Sequence, residues 1–268
     1  MEEGFFTPES ALWRVDRELA LLLGGGRALL MQVAHPKIAA GVAEHSRFLS
    51  DPLKRLTGTM ATMWSIVFDD RPRAEAALGR LENIHRRVRG TVQEPGAPPP
   101  GAPYSAGDAD LRLWVHATLI DSALVTYDRF VQPLSAGERR RYYEDSKKLG
   151  ILLGVKEAKL PDSYEEFVEY MAATIQSGAL AVGPTARALA RAVLHPAPWF
   201  LKTVAPLHAF ITAGLLPPEL RRAYGLSWSG RRERALRFVA GSTRAALPLV
   251  PAIIRVVPRA RAAEARAG

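Results

Sequence analysis

Cysteine is absent from all 268 residues. Its absence excludes disulfides, iron–sulfur clusters, thiolate-ligated haem, covalent haem attachment, cysteine-based zinc sites and cysteine nucleophiles. Any metal chemistry must therefore draw on histidine and carboxylates. Apolar runs of about 18 residues, the length that spans a bilayer as a helix, are also missing, because Arg, Gly or Pro interrupts every candidate. The N-terminus, Met1-Glu2-Glu3-Gly4-Phe5-Phe6, lacks a basic stretch leading into an apolar one. The expectation is an intracellular protein, cytoplasmic or peripheral at the inner face of the membrane. Alternating β-branched runs closed by tight turns are scarce as well. There is no glycine-rich phosphate loop after a strand, no His-Glu-x-x-His helix and no Gly-x-Ser-x-Gly elbow, which removes the usual nucleotide, zinc-protease and hydrolase readings.

What remains is an ordinary globular composition, 48% hydrophobic and 24% charged. A chain of this length buries roughly 70–75% of its unfolded surface, enough for one large core with room for a pocket. The net charge of +9 is lopsided: from Glu219 onward eleven Arg and no Lys face three Glu, while the first 218 residues carry 25 basic and 24 acidic side chains. The expected organisation is a single all-α multi-helix bundle over residues 1–240 followed by an Arg-rich tail, 241–268. Arginines alternating with Leu, Val, Ile and Pro suit an anionic membrane surface better than nucleic acid, since no aromatic residues are interleaved to stack on bases. A plain solvated basic surface is the alternative.

Helix punctuation organises the rest. Thr7-Pro8 opens a helix to about Leu23 that Gly24-Gly25-Gly26 ends, and Arg27–Ala34 stops before His35-Pro36. Asp51-Pro52 starts a helix to Phe68. The apolar spacing Ala74, Leu78, Leu81, Ile84, Val88 predicts another over Arg71–Arg89, before Gly90. Pro95, Pro98, Pro99, Pro100 and Pro103 mark an extended loop. Leu111–Phe130, apolar around most of its circumference, is the expected core helix. Ser135-Ala-Gly-Glu138 has capping-box spacing, Asp162-Ser163 opens a helix through Ser177, and Pro184, Pro196 and Pro217 punctuate the later helices.

Few residues in this pattern can carry chemistry. Glu82-Asn-Ile-His85 supplies one Glu-x-x-His turn, but a di-iron bundle needs two, and no other histidine has the matching glutamate. His85 lies at helical spacing with Leu81, Ile84 and Val88, with Arg89 one turn on, so its imidazole borders a buried face and has the makings of an iron ligand. His116, in Trp114-Val-His116-Ala-Thr, sits inside the most apolar helix, where its ring needs a partner. Arg55 and Thr59 share a largely apolar helix face with Leu56, Met60 and Met63; a guanidinium there matches a carboxylate such as a haem propionate. Gln32-Val-Ala-His35 through Glu44-His45 brings a carboxylate near two imidazoles. Each has a plain structural alternative: a core or capping histidine, or a surface ion pair.

Taken in order, Gln32-Val-Ala-His35-Pro36, Asp51-Pro-Leu-x-Arg55-Leu-x-x-Thr59, Ile84-His85-x-x-Val88-Arg89-Gly90, Trp114-Val-His116-Ala-Thr and Leu216-Pro-Pro-x-Leu-Arg221-x-x-Tyr-Gly resemble the mpaB-type oxygenases, the family that contains the catalytic core of the latex-clearing rubber oxygenase. The resemblance runs from about residue 20 to 240. It implies a globin-like helical core holding haem b (iron protoporphyrin IX) and an O2-dependent attack on carbon–carbon double bonds of a hydrophobic isoprenoid or lipid-like molecule. By the same resemblance His85 matches the proximal iron ligand and Arg89 its support. Arg55 and Thr59 match the distal pair, and Glu44 a general base, although its spacing to Arg55 differs. Trp114, His116 and His35 belong to the signature as cofactor-side residues. Rubber oxygenases carry a lysine directly before the distal threonine; here that position is Gly58. The alternative reading is a non-catalytic haem- or lipid-binding helical protein at a membrane surface.

Overall fold

The structure is a computed structural model that describes residues 3–46, 52–94, 101–195 and 203–267; the side chains of 52–56 and 267 fall outside the description. Its chain order is α1 (Ala11–Asp16), α2 (Gly25–Val33), α3 (Pro36–His45), α4 (Pro52–Phe68), α5 (Arg71–His85), β1 (Arg89–Thr91), β2 (Pro103–Ser105), α6 (Ala109–Phe130) and α7 (Ala136–Leu152). Then come α8 (Tyr164–Gln176), α9 (Pro184–Leu194), α10 (Ala205–Leu215), α11 (Pro218–Ala223), α12 (Gly230–Ala246), α13 (Ala252–Arg255) and α14 (Pro258–Ala267). The fold is all-α apart from the two-stranded antiparallel β1–β2 sheet, with Arg89 opposite Ser105, Gly90 opposite Tyr104 and Thr91 opposite Pro103.

At the centre stands α6, with twelve buried residues from Leu111 to Phe130, as its near-continuous apolar circumference predicts. Helices α1, α2, α7 and α12 pack around it, together with a 3-10 turn at Leu19–Gly24. The capping box at Ser135 forms: its hydroxyl accepts from Glu138 N, and the Glu138 carboxylate accepts from Ser135 N at 2.8 Å. Ser163 caps α8, and Pro184 lies in the first turn of α9. Pro196 and Asp51 lie outside the described residues.

Three expectations need correction. The first helix does not run from Thr7-Pro8 to Leu23. Ser10 caps a six-residue α1, and at Glu18 the backbone becomes extended because it pairs with Val256. The triple glycine ends only the 3-10 turn at Leu19–Gly24, and α2 begins within the triplet at Gly25. A Cβ on Gly24 would strike the Thr126 hydroxyl and one on Gly26 the Thr212 hydroxyl, so both glycines permit close approach to α6 and α10. Finally, α5 stops at His85, and Arg89 lies on β1. The pairing of β1 with β2 claims the backbone that a longer helix would need.

The Arg-rich end packs against the body. Val256, Val257 and Ala260 are buried in the main core, and α14 lies against α4. Arg255 grips the buried Glu18 carboxylate with two hydrogen bonds, 2.8 and 2.9 Å, and Val257 N donates to Arg17 O at 2.8 Å. Arg259 pairs with Asp69, and Glu264 accepts from the Trp13 indole and pairs with Arg17. Helix α12 runs continuously across residue 240.

Candidate functional site

His35 begins α3 and Glu44 nearly ends it. His35 is the N-cap: its Nδ1 accepts from Lys37 N at 3.2 Å, while burial and the Lys37 charge hold the imidazole below its ordinary pKa. At the other end, nine residues and about 13 Å of helical rise away, Glu44 and His45 project towards the small sheet. The Tyr104 hydroxyl, from β2, donates to the Glu44 carboxylate. Burial, reinforced by that carboxylate, pushes the phenol well above its usual range. His45 Nε2 donates to the Arg89 carbonyl at 3.1 Å, and its ring stands edge-on to Tyr104 with centroids 6.1 Å apart. Gly90 is required here: a Cβ would lie 2.7 Å from the Tyr104 hydroxyl and 3.0 Å from Glu44 Oε2.

The second half of the site comes from the α4–α5 hairpin, whose helices are joined through Asp69 and Asp70 and pack along each other. Arg55 lies fourteen residues before Asp69 and His85 fifteen after Asp70. At 1.5 Å per residue the first turn of α4 is therefore level with the last turn of α5. Arg55 belongs to that first turn, with its side chain outside the description. Thr59 and Gly58 are exposed, and a Cβ on Gly58 would meet nothing within 4 Å. His85 is half-buried beside Ile84, an isoleucine left 60% exposed. Past His85 the chain turns through Val88 N to His85 O at 3.0 Å and enters β1, so Arg89 approaches from the strand with its guanidinium exposed. Glu82, the partner in the Glu-x-x-His turn, pairs instead with Arg112 of α6 at 2.9 Å.

Trp114 and His116 belong to the core. The Trp114 indole donates to Met31 O at 3.1 Å. His116 Nε2 donates to Ser146 O at 2.8 Å, and burial lowers its pKa to about 4, keeping the ring neutral. Ser146 and Gly150 of α7 crowd this ring, since a Cβ at 150 would lie 2.7 Å from Nε2. The late Arg221 closes off α10, donating to the carbonyls of Ala213, Gly214 and Leu216 at 2.6–3.0 Å. It lines an opening of about 620 Å3 together with Arg27, Arg129, Trp228 and Glu233. Arg27 is already committed there to Leu215 O, Ser122 and Asp121.

The fold thus gathers Glu44, His45, Arg89 and the end of α5 with His85, and leaves His35, Trp114 and His116 with structural partners. Tyr104 was not singled out from sequence. Its only local signal is an aromatic residue between Pro103 and Ser105, and its role depends on β1–β2 pairing. Among the described residues no group of three or more His, Asp or Glu is arranged to hold a bare metal ion.

Comparison with known proteins supplies a relationship. The chain is 31% identical over 234 residues to the uncharacterized protein Mb2261 of Mycobacterium bovis, covering 83% of this chain and 87% of the relative. The same figures hold for the uncharacterized protein Rv2237 of Mycobacterium tuberculosis. No solved structure matches. Residues 13–245 match the family described as ER-bound oxygenase mpaB/B'/Rubber oxygenase, catalytic domain, and with nearly the whole helical body inside that span the chain belongs to this oxygenase family.

Proposed function

We propose that this oxygenase depends on haem b and uses O2 to oxidise or cleave a carbon–carbon double bond of an unsaturated isoprenoid or lipid-like molecule, with His85 as the iron ligand. The convergence of Glu44, Arg89 and the last turn of α5 beside the β1–β2 sheet carries this reading. The donor set fits the group. A porphyrin iron asks the protein for one imidazole; a half-buried histidine beside an exposed isoleucine offers both the ligand and an unmatched apolar surface. The exposed Arg89 guanidinium suits a propionate. His116 is the weaker candidate, since its ring is buried in the core between α6 and α7, with Gly150 crowding it.

Bound haem supplies the oxygen chemistry, and the chain supplies position, charge and exclusion of water. Arg55 and Thr59, on the helix facing the end of α5, orient and polarise oxygen. Glu44 accepts or returns a proton at its carboxylate, and the Tyr104 hydroxyl holds that carboxylate in one orientation. Gly58 would leave uncapped the position at which the rubber oxygenases that the motifs resemble carry a lysine.

The test is an absorption spectrum of protein produced with haem supplied, with a pyridine haemochrome assay, for wild type, His85→Ala and His116→Ala. A stoichiometric b-type Soret band lost in His85→Ala and retained in folded His116→Ala is expected. A haem-free wild type refutes the mechanism. Substrate-dependent O2 consumption then separates turnover from binding alone.

A further inference from the structure

Four of the most exposed large apolar side chains lie on α12 and on the stretch that follows it up to α14: Phe238 at 76%, Leu249 at 85%, Ile253 at 66% and Ile254 at 65%. The segment that presents the isoleucines is firmly anchored. Directly after them Arg255 is locked to the buried Glu18, and Val256 and Val257 enter the core. A short helix held this tightly, yet turning two isoleucines into solvent, forms a fixed apolar surface. Leu22 of the 3-10 turn against which α13 packs is exposed beside it.

The charge alongside is unusual too. On α12, Leu236 and Ala240 face inward, while Arg231, Arg234 and Phe238, at i, i+3 and i+7, share the outward stripe, flanked by Arg237 and Arg244. None of Arg231, Arg234, Arg237 and Arg244 pairs with a carboxylate of the described residues. The turn at Leu247–Leu249 follows α12 directly, so guanidinium groups and aliphatic side chains belong to consecutive elements.

We infer that the outward face of α12 together with Leu249, Ile253 and Ile254 is a membrane-docking surface that seats the protein on anionic lipid. The arginines meet lipid phosphates while the aliphatic tips enter the boundary between headgroups and acyl chains. Charge complementarity selects this occupant. A second copy would bring the same unpaired arginines against each other, and nucleic acid would leave Leu249, Ile253 and Ile254 in water. The surface also suits an apolar substrate, which resides in bilayers.

Flotation of the full chain with vesicles of phosphatidylcholine alone, and of phosphatidylcholine mixed with phosphatidylglycerol, tests this. Partitioning is expected into the mixed vesicles only, weakening as salt rises. The exposed pair Ile253→Asp, Ile254→Asp should reduce partitioning at least tenfold. Arg231→Gln and Arg234→Gln should each cost about fivefold. In Phe238→Trp, emission at the new indole should shift to the blue on mixed vesicles. Circular dichroism confirms that each variant folds. Absence of partitioning by wild type overturns the inference, as does equal partitioning by the folded isoleucine variant. Self-association that this variant abolishes, without vesicle binding, overturns it as well. The readout involves neither haem nor oxygen, so its failure leaves the oxygenase reading standing, and the reverse holds.

Discussion

His116 is buried with one nitrogen given to a helix carbonyl, and its folded pKa of about 4 lies below the ordinary 6.5. The unfolded chain therefore binds more protons between these values, so the stabilisation is fully present above pH 6.5 and is lost as pH falls through about 4. Its size is about 3 kcal/mol. His116→Gln keeps a donor for Ser146 O and removes the titration, and urea denaturation at several pH values should give it a flatter acid profile than wild type. Asp16, whose carboxyl burial raises to about 7, pulls stability in the opposite direction, present at low pH and lost as pH rises through about 7. It is shared by both proteins and cancels in the comparison. At Gly58, where a Cβ would meet open space, the haem-loaded ferric protein should lack a fixed nitrogen ligand on its distal side. Gly58→Lys should introduce one, read by absorption and electron paramagnetic resonance; a nitrogen already present in wild type refutes the open face.

Among the elements, α7 depends most visibly on its first turn. It is a long charged helix with a narrow buried stripe of Tyr142, Tyr143, Ser146, Leu149 and Gly150, and it supplies the carbonyl that satisfies His116. The reciprocal cap at Ser135 and Glu138 satisfies two orphan donors there. Ser135→Ala should cost about 1 kcal/mol in urea denaturation with an unchanged m value. The β1–β2 pair is the element most consequential for the site. It ends α5 at His85, turns Arg89 and Gly90 towards α3 and delivers Tyr104 to Glu44. Its strands span three residues each, separated by the proline-rich stretch, which is too little for an alternating pattern to stand out.

For the whole molecule, the C-terminal residues close the fold. A chain ending at Ala246 would lose the buried Val256 and Val257, each worth about 2 kcal/mol, and leave Glu18 as a buried carboxylate without its guanidinium, at about 3 kcal/mol. Together these approach the net stability of an ordinary domain, about 5–15 kcal/mol. The truncated chain should melt more than about 10 °C lower or fail to fold, checked by thermal denaturation and limited proteolysis. An unchanged melting temperature would mean that the docked contacts contribute nothing.

Local chemistry was enough for the all-α class, the central α6, the capped starts of α7 and α8 and the ordered family motifs, because caps, prolines and apolar periodicity act within a few residues of chain. Arg55, Thr59, Glu44 and His85 were likewise legible as candidates from residue type and neighbours. What the local sequence does not give is tertiary: that a His116 nitrogen meets a carbonyl of another helix depends on contact between residues thirty positions apart. The same holds for Tyr104 on Glu44, sixty residues away, and for Arg255 on Glu18 across 237. A run of arginines looks alike in sequence whether it trails in solvent or grips buried carboxylates. Only the packing of α13 and α14 decided which arginines hold the fold and which remain on its surface.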